Sequence, residues 1–365
     1  MSSYHDAAQT SMNERLQLFL QELPDVCSDF FLSIEPTTSI STRLSYAYDL
    51  RTFFHYVIHI KPELNASSAN ELSMDVFESL TKRDFELYAR YLKSYNTEET
   101  DTETGHVLKR HFINHDVSIK RKYSSLRVFF RFLFAEGFIT SDKVALVSLP
   151  KLHEHAIIRL DIDEVARLLD IAENPDSLPA SYQRFRSVTQ KRDLAILSLF
   201  LGTGIRISEC VGLNLEDLDF EQNAFVVTRK GGKEAILYFS QEVSDALQDY
   251  RMEREKITAV SGHEHAFFLS IQRKRISQRA VENMVKKYAR IAAPLKRKIS
   301  PHKLRSTFGT NLYRETGDIY LVADVLGHSD VNTTRKHYAA IAEDRRRIAA
   351  EKTVLRDDRH VSKEE

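Results

Sequence analysis

Cysteine is scarce in this chain of 365 residues: Cys27 and Cys210 are its only two, and they lie far apart. Two isolated thiols build no disulfide framework and match no zinc-ligand spacing. No apolar run approaches the roughly 20 residues that a transmembrane helix needs. The opening residues, MSSYHDAAQTSMNERLQ, lack the basic and apolar regions of a secretory signal. These absences predict a protein of the reducing cytoplasm with no membrane partner.

An excess of either charge is also lacking, since 52 basic residues balance 52 acidic ones. This balance argues mildly against a nucleic-acid-binding protein, so the local distribution of charge has to decide. Residues 105–140 contain seven Lys and Arg against two acids, and residues 270–305 contain twelve against one, Glu282. Each run alone is equally consistent with a solvated helix surface. Together with the residues described below, they favour contact with a DNA backbone.

Helical periodicity dominates the first part of the chain. It predicts four helices, at about 11–32, 41–59, 82–94 and 118–136. Thr81 suits the N-cap of the third helix, and Gly137 ends the fourth. The polar and acidic stretch 94–105 predicts an exposed loop. The N-terminal part is therefore expected to be all-α.

A domain boundary is predicted at Leu149-Pro150-Lys151, where proline biases the chain out of helix and the periodicity weakens. The sequence then divides into a domain of residues 1–150 and a domain of residues 151–365. In the second domain, residues 173–190 are typical of a loop.

Helices and one hairpin are predicted for the second domain. The helices are expected at 165–172 and 191–201, and near 241–256, 277–292, 301–315, 318–326 and 331–350. Residues 224–229 and 234–239 are rich in β-branched and aromatic residues, and they flank Lys230-Gly231-Gly232-Lys233, which indicates a β-hairpin. The predicted fold class is mainly α, with a small antiparallel sheet in the second domain.

Six residues of this domain carry the groups that phosphodiester cleavage needs: Arg206, Lys230, His302, Arg305, His328 and Tyr338. A phosphodiester is a poor electrophile because its negative charge repels nucleophiles. Two guanidinium groups can neutralise its non-bridging oxygens, a tyrosine hydroxyl can attack phosphorus, and a lysine can protonate the leaving alkoxide. No metal ion or other cofactor is expected, because the arginines supply the positive charge.

Four sequence stretches identify a resemblance. They are TGIRISECVGLNLEDLD (203–219), VVTRKGGK (226–233), ISPHKLRSTFGTNLY (299–313) and VADVLGHSDVNTTRKHYAAI (322–341). In this order and at these spacings the chain resembles the tyrosine recombinases of the phage integrase superfamily. Its Xer branch is the most similar, especially the single-recombinase (XerS-like) kind. The resemblance is detailed in the catalytic half and extends to the N-terminal half in organisation only.

The resemblance implies a role for each of the six residues. Arg206 and Arg305 would clamp the phosphate, His302 would assist proton transfer or phosphate binding, and His328 would hydrogen-bond a non-bridging oxygen. Tyr338 would be the nucleophile; the family also uses a spacing one residue shorter, which here falls on His337. Lys230 would be the general acid, with Lys233 and Arg229 as competitors in the same hairpin. Glu209 and Asp217 would be structural or would orient an arginine.

Further basic residues are candidate DNA contacts: Lys120, Arg121, Lys122, Arg127, Arg229, Lys233, Lys286, Lys287 and Arg335. The family implies a C-shaped clamp made of a helical core-binding (SAM-like) domain and a catalytic domain. It also implies a homotetramer on double-stranded DNA with an inverted-repeat site, a nucleoid-associated cytoplasmic location and, as an open point, a DNA translocase or accessory factor. A type IB topoisomerase-like activity and a non-catalytic DNA-binding protein are the alternatives.

The two hairpin lysines can be distinguished by their leaving-group dependence. Lys230→Ala should slow cleavage of an ordinary phosphodiester far more than cleavage of a 5′-bridging phosphorothiolate, because a thiolate leaves without protonation. Lys233→Ala should slow neither substrate strongly. Rescue of Lys233→Ala rather than Lys230→Ala by the phosphorothiolate would make Lys233 the general acid.

Overall fold

Amphipathic helices account for most of the chain that this computed structural model describes, namely residues 4–61, 66–100, 107–150, 158–174, 178–179, 183, 185–229, 232–296, 298–328 and 331. The chain forms two units, Met1–His155 and Ala156–Glu365. Within the described residues, none of the helices is long and apolar enough to cross a bilayer.

The first unit contains six α-helices among its described residues. They are α1 (Tyr4–Leu20), α2 (Val26–Ile34), α3 (Ile40–Ile60), α4 (Met74–Ser79), α5 (Lys82–Lys93) and α6 (Asp116–Ala135), with short 3-10 turns at Glu35–Thr37 and Ala69–Glu71. Helices α3, α5 and α6 confirm the predicted ones. The helix expected at 11–32 is instead two helices, because the chain turns before Pro24, a residue that lacks a backbone N–H.

Aromatic rings fill the core of the first unit. Phe53 of α3 stacks on Phe85 of α5 with ring centroids 5.8 Å apart, and it meets Phe130 of α6 edge-on at 5.9 Å. The predicted cap of α5 is confirmed: the Asp84 carboxylate accepts from the Thr81 N–H at 2.8 Å, and Thr81 Oγ1 accepts from the Asp84 N–H at 3.4 Å. This reciprocal cap fixes the residue at which α5 begins.

A β-hairpin replaces the loop expected at 94–105. Strands β1 (Ser94–Thr100) and β2 (Val107–Ile113) pair antiparallel, with Ser94 opposite Ile113. Tyr95 is buried and stacks on Phe112 across the two strands, with ring centroids 5.3 Å apart. The prediction of an all-α N-terminal part is therefore wrong. The stretch was predicted to be a loop because its composition is acidic. Strand β1 is stabilised by cross-strand pairs, which the composition of one strand does not show.

A buried carboxylate joins α3 to α6. Asp49 Oδ1 accepts from Arg121 Nη2 at 2.7 Å and from Lys122 Nζ at 3.1 Å, and Asp49 Oδ2 accepts from Ser125 Oγ at 2.7 Å. The Lys122 side chain is only 12% exposed, whereas that of Arg121 is 54% exposed and Lys120 lies on the surface. Lys122 therefore has an internal ion pair as its main contact.

The second unit is helical around a small sheet. Its described helices are α7 (Ile162–Glu173), α8 (Arg186–Thr203), α9 (Ile207–Gly212), α10 (Gln241–Arg254), α11 (Gln278–Ala292), α12 (Pro301–Thr316) and α13 (Ile319–Leu326). Its strands are β3 (Leu218–Asp219), β4 (Ala224–Thr228) and β5 (Glu234–Tyr238), antiparallel in the order β3-β4-β5, after a 3-10 turn at Leu215–Asp217.

The predicted fold class, mainly α with a small antiparallel sheet in the second unit, is confirmed. Two details differ. Helix α8 begins at Arg186, five residues before the predicted start at Lys191, because its first turn is polar and lacks the apolar spacing used to find it. Strand β3 was not predicted, since two residues are too few to show a period. The helix expected at 331–350 lies outside the described residues except for position 331.

Helix α8 is the central helix of the second unit. Its apolar side chains between positions 195 and 200 are fully buried, including Ala195, Leu197 and Phe200. Its one fully buried carboxylate, Asp193, accepts from Lys287 Nζ at 2.9 Å and from Tyr288 Oη at 3.0 Å, both on α11. These bonds fix α11 to α8, and they place Lys287 against the core with its side chain 14% exposed.

Lys122→Met should destabilise the protein by about 1–2 kcal/mol, because it removes one charged partner of the buried Asp49 carboxylate. Lys120→Met removes a surface charge from the same helix and should leave the stability essentially unchanged. Urea unfolding followed by far-UV circular dichroism measures both. Equal destabilisation by the two variants would contradict the structural role of Lys122.

Candidate active site

A left-handed glycine turns the chain from α8 toward α9. Gly204 has φ +65°, and a Cβ built on it would lie 2.8 Å from Leu326 Cδ2 and would also collide with the Phe308 ring. Only glycine combines this dihedral angle with such a close approach. The turn sets Arg206 at the N-cap of α9 with an extended backbone.

Glu209 fixes the orientation of Arg206. The Glu209 carboxylate accepts from the Arg206 backbone N–H at 2.9 Å and from Arg206 Nη1 at 2.8 Å. Its side chain is 3% exposed, whereas that of Arg206 is 35% exposed. A buried carboxylate that accepts two bonds from one arginine locks the side-chain angles of that arginine. The predicted orienting role of Glu209 is consistent with this geometry.

Arg305 is buried on α12, a helix that begins with Pro301 after the N-cap Ser300. Arg305 Nη1 donates to Gly204 O at 2.5 Å, and its Nη2 donates to Leu326 O. A buried guanidinium is tolerated only when acceptors meet its donors. The carbonyls of the α8–α9 turn and of the α13 terminus provide them.

The C-terminus of α13 ends in a Schellman motif. Gly327 is left-handed (φ +59°, ψ 49°), the Gly327 N–H donates to Asp324 O at 2.8 Å, and the His328 N–H donates to Ala323 O at 2.9 Å. The motif turns the chain sharply, so that His328 faces the same cavity as Arg206.

Three arginines donate to the last carbonyls of α13. Arg206 Nη2 donates to Leu326 O at 3.2 Å and to Gly327 O at 2.7 Å, and Arg305 shares the Leu326 carbonyl. Arg229 Nη2 donates to Val325 O at 2.9 Å. These carbonyls are the negative end of the helix dipole and have no partner within the helix. They hold the three guanidinium groups side by side.

A cavity of about 310 Å³ lies at this junction. The residues that line it are Ile205, Arg206, Ile207, Ser208, Pro301, His302, Arg305 and His328. Four of the six predicted catalytic residues therefore meet around one space, although they span more than a hundred residues of the sequence. The other two, Lys230 and Tyr338, lie outside the described residues, as does His337.

The candidate DNA contacts fall into different environments. Lys233 is exposed and Lys286 is half-buried on α11. Lys287 is bound to Asp193, and Arg127 Nη2 donates to Val147 O at 2.8 Å. Arg335 lies outside the described residues. Charge alone could not separate the exposed members from those with an internal acceptor.

Arg275 is a supporting residue that the sequence analysis missed. Its Nη1 donates to Val211 O, Gly212 O and Leu213 O at 3.0, 2.9 and 2.8 Å, and so it closes the C-terminus of the short helix α9. An arginine close in sequence to a helix C-terminus is a signal that it caps the helix. Arg275 gives no such signal, because it lies 63 residues away from Gly212 in the chain.

Neither thiol belongs to the site. Burial, with the neighbouring Glu209 carboxylate, raises the pKa of the Cys210 thiol, and burial alone raises the pKa of the Cys27 thiol. Both cysteines are free and buried. They are apolar core residues rather than nucleophiles.

Known proteins are similar to this chain in sequence and in fold. Residues 159–345 match the model of the phage integrase family. Tyrosine recombinase XerC of Syntrophus aciditrophicus is 31% identical over 322 residues, which cover 87% of this chain and 92% of that relative. The chain belongs to the phage integrase family. Tyrosine recombinase XerS of Streptococcus uberis is 29% identical over 364 residues, covering 93% of this chain and 98% of the relative.

A solved structure gives the same fold. The Tn1549 transposon integrase in complex with a circular intermediate DNA has a TM-score of 0.59 at 19% identity, and the match covers 88% of this chain and 98% of that one. The relatives confirm the resemblance to the Xer branch of the tyrosine recombinases. Enzymes of this family break and rejoin DNA strands, and the predicted enzyme class is confirmed.

Glu209→Gln should lower the cleavage rate at saturating DNA about 10- to 100-fold, because loss of one charge-assisted bond, about 1.5–3 kcal/mol, leaves Arg206 poorly oriented. DNA affinity should be unchanged. Asp217→Asn makes the same chemical change at the next cap, where the carboxylate accepts from the Asn214 N–H at 2.7 Å, and should leave the rate unaltered. A normal rate for Glu209→Gln would contradict the orienting role.

Proposed function

We propose that this chain is a site-specific DNA recombinase that uses Tyr338 as its nucleophile. The tyrosine oxygen attacks the scissile phosphorus, the bond to the 5′-oxygen breaks, and a 3′-phosphotyrosine forms. Lys230 gives a proton to the departing 5′-oxygen, and His302 assists either in removing the tyrosine proton or in binding the phosphate. The energy of the phosphodiester is kept in the new ester, so religation by a 5′-hydroxyl needs no ATP.

One observation carries the proposal: Arg206 and Arg305 share the Leu326 carbonyl at a cavity that His302 and His328 also line. Two guanidinium groups fixed side by side match two non-bridging oxygens of a phosphodiester. Positive charge placed before the reaction stabilises the extra negative charge of the pentavalent transition state. Histidine donors at the same cavity suit the remaining oxygen contacts.

The substrate in this proposal is double-stranded DNA with an inverted-repeat site. Four copies of the chain would hold two duplexes and exchange strands through a Holliday junction. Residues 1–150 would be the helical core-binding domain and residues 151–365 the catalytic domain. The biological role is chromosome dimer resolution or mobile-element integration and excision. A cytoplasmic, nucleoid-associated location and an activating translocase or accessory factor belong to the same proposal.

Tyr338→Phe should bind its DNA site with normal affinity but form no covalent adduct on a nicked suicide substrate, because it lacks the attacking oxygen. Wild-type protein in the same assay should accumulate the adduct in EDTA as well as in Mg²⁺, since the arginines supply the positive charge that a metal ion would otherwise provide. Denaturing gels measure the adduct.

An adduct with Tyr338→Phe would move the nucleophile elsewhere, with His337 the next residue to replace. Activity abolished by EDTA and restored by Mg²⁺ would indicate a different nuclease class. Relaxation of supercoiled DNA that lacks any specific site would favour the topoisomerase-like alternative.

A further inference from the structure

The last carbonyls of α13 accept hydrogen bonds from backbone N–H groups and from three arginines. The Schellman motif uses Ala323 O and Asp324 O. The next three carbonyls accept from side chains: Val325 O from Arg229, and Leu326 O and Gly327 O from the arginines of the candidate phosphate clamp. Arg229 therefore holds the carbonyl immediately before those that orient the clamp.

Arg229 is packed into this position. A Cβ on Gly327 would lie 2.5 Å from Arg229 Cζ, so the guanidinium occupies the space left by the missing side chain. Its Nη1 also lies 3.4 Å from Asp324 O. Arg229 is the residue directly after β4, and its backbone N–H donates to Lys233 O at 2.7 Å, which fixes the backbone of Arg229 in the hairpin.

We propose that Arg229 is a positioning residue for the phosphate clamp. It acts through α13: by holding the Val325 carbonyl and filling the space at Gly327, it keeps the Leu326 and Gly327 carbonyls where Arg206 and Arg305 need them. The inference rests on the proposed function, since it assigns a supporting residue to the same site.

The environment of Arg229 argues against the DNA contact expected from its sequence position. Two of its nitrogens face backbone carbonyls, and its Nε is buried without a hydrogen-bond partner among the described residues. A phosphate contact would require these donors to leave acceptors that would then be unmet. The guanidinium is therefore part of the protein's internal hydrogen bonding.

The position of these carbonyls matters because the terminal turn of a helix is its least constrained part. Without Arg229, the Val325 carbonyl loses its hydrogen-bond donor, and the α13 terminus gains freedom next to His328. Displacement of a reacting group by about 1 Å can cost a hundredfold in rate. A defect in the chemical step with intact DNA binding is the expected consequence.

Arg229→Met, which keeps an unbranched side chain but removes every donor, tests the assignment. Its single-turnover cleavage rate at saturating suicide substrate should fall about tenfold or more, with the dissociation constant and its salt dependence unchanged. Arg251→Met is the matched control: it removes an exposed guanidinium from α10, where Arg251 pairs with Glu255 at 2.9 Å, and should cleave at the wild-type rate.

A 5′-bridging phosphorothiolate substrate separates the clamp from the neighbouring Lys230. Arg229→Met should be slowed to a similar degree on this substrate and on the ordinary phosphodiester, because both need the clamp. Rescue by the phosphorothiolate would mean that Arg229 serves leaving-group protonation, and would overturn the assignment. A salt slope reduced by about one unit, with a normal rate at saturation, would make Arg229 a DNA contact and overturn it as well.

Wild-type protein and Tyr338→Phe run in parallel identify which statement fails. If wild-type protein forms no adduct, the proposed function fails; if it does and Arg229→Met cleaves equally fast, only the role of Arg229 fails. Arg229→Lys keeps the charge but cannot reproduce the planar, multiply bonded guanidinium. Should the Met variant fail to fold, a tenfold slower rate for a folded Arg229→Lys supports the assignment, and a wild-type rate overturns it.

Discussion

The carbonyl oxygen of Leu326 is the contact on which the site depends, because Arg206 and Arg305 both donate to it. Two guanidinium groups repel each other, and one of them is buried, so the pair needs shared acceptors before any phosphate arrives. Gly204 brings α8 close enough to α13 for this contact, and Glu209 fixes the Arg206 side chain from the other side. The clamp is thus organised by the fold and does not wait for its substrate.

The sequence could indicate where these residues lie because they sit at or near helix ends. Arg206 after a Gly-rich turn, Arg305 one turn after Pro301, and His328 after Gly327 all follow from capping rules and from the order of the motifs. Most of the long helices could also be predicted from the sequence, since apolar periodicity indicates which face of a helix will be buried. What periodicity measures is burial, and these elements bury one face.

Other features could not be predicted from the sequence because they depend on partners that are distant in the chain. Strand β1 is polar and is stabilised by pairing with β2, so its composition resembles that of a loop. The internal roles of Lys122 and Lys287 depend on Asp49 and Asp193, more than 70 residues away. A cation in a sequence reveals its charge but not whether the folded chain supplies its acceptor.

That distinction changes how the basic runs are interpreted. The run 270–305 contains twelve cations, yet several donate to the protein itself: Arg275 to the end of α9, Lys287 to Asp193, Lys296 to Asp161 and Glu164, and Arg305 to two carbonyls. Only a cation that exchanges counterions for phosphate contributes to the salt dependence of DNA binding. The electrostatic part of the affinity should therefore be smaller than the run suggests. In this run much of the positive charge is therefore bonded within the second unit, so the number of cations in the sequence does not measure how many can contact DNA.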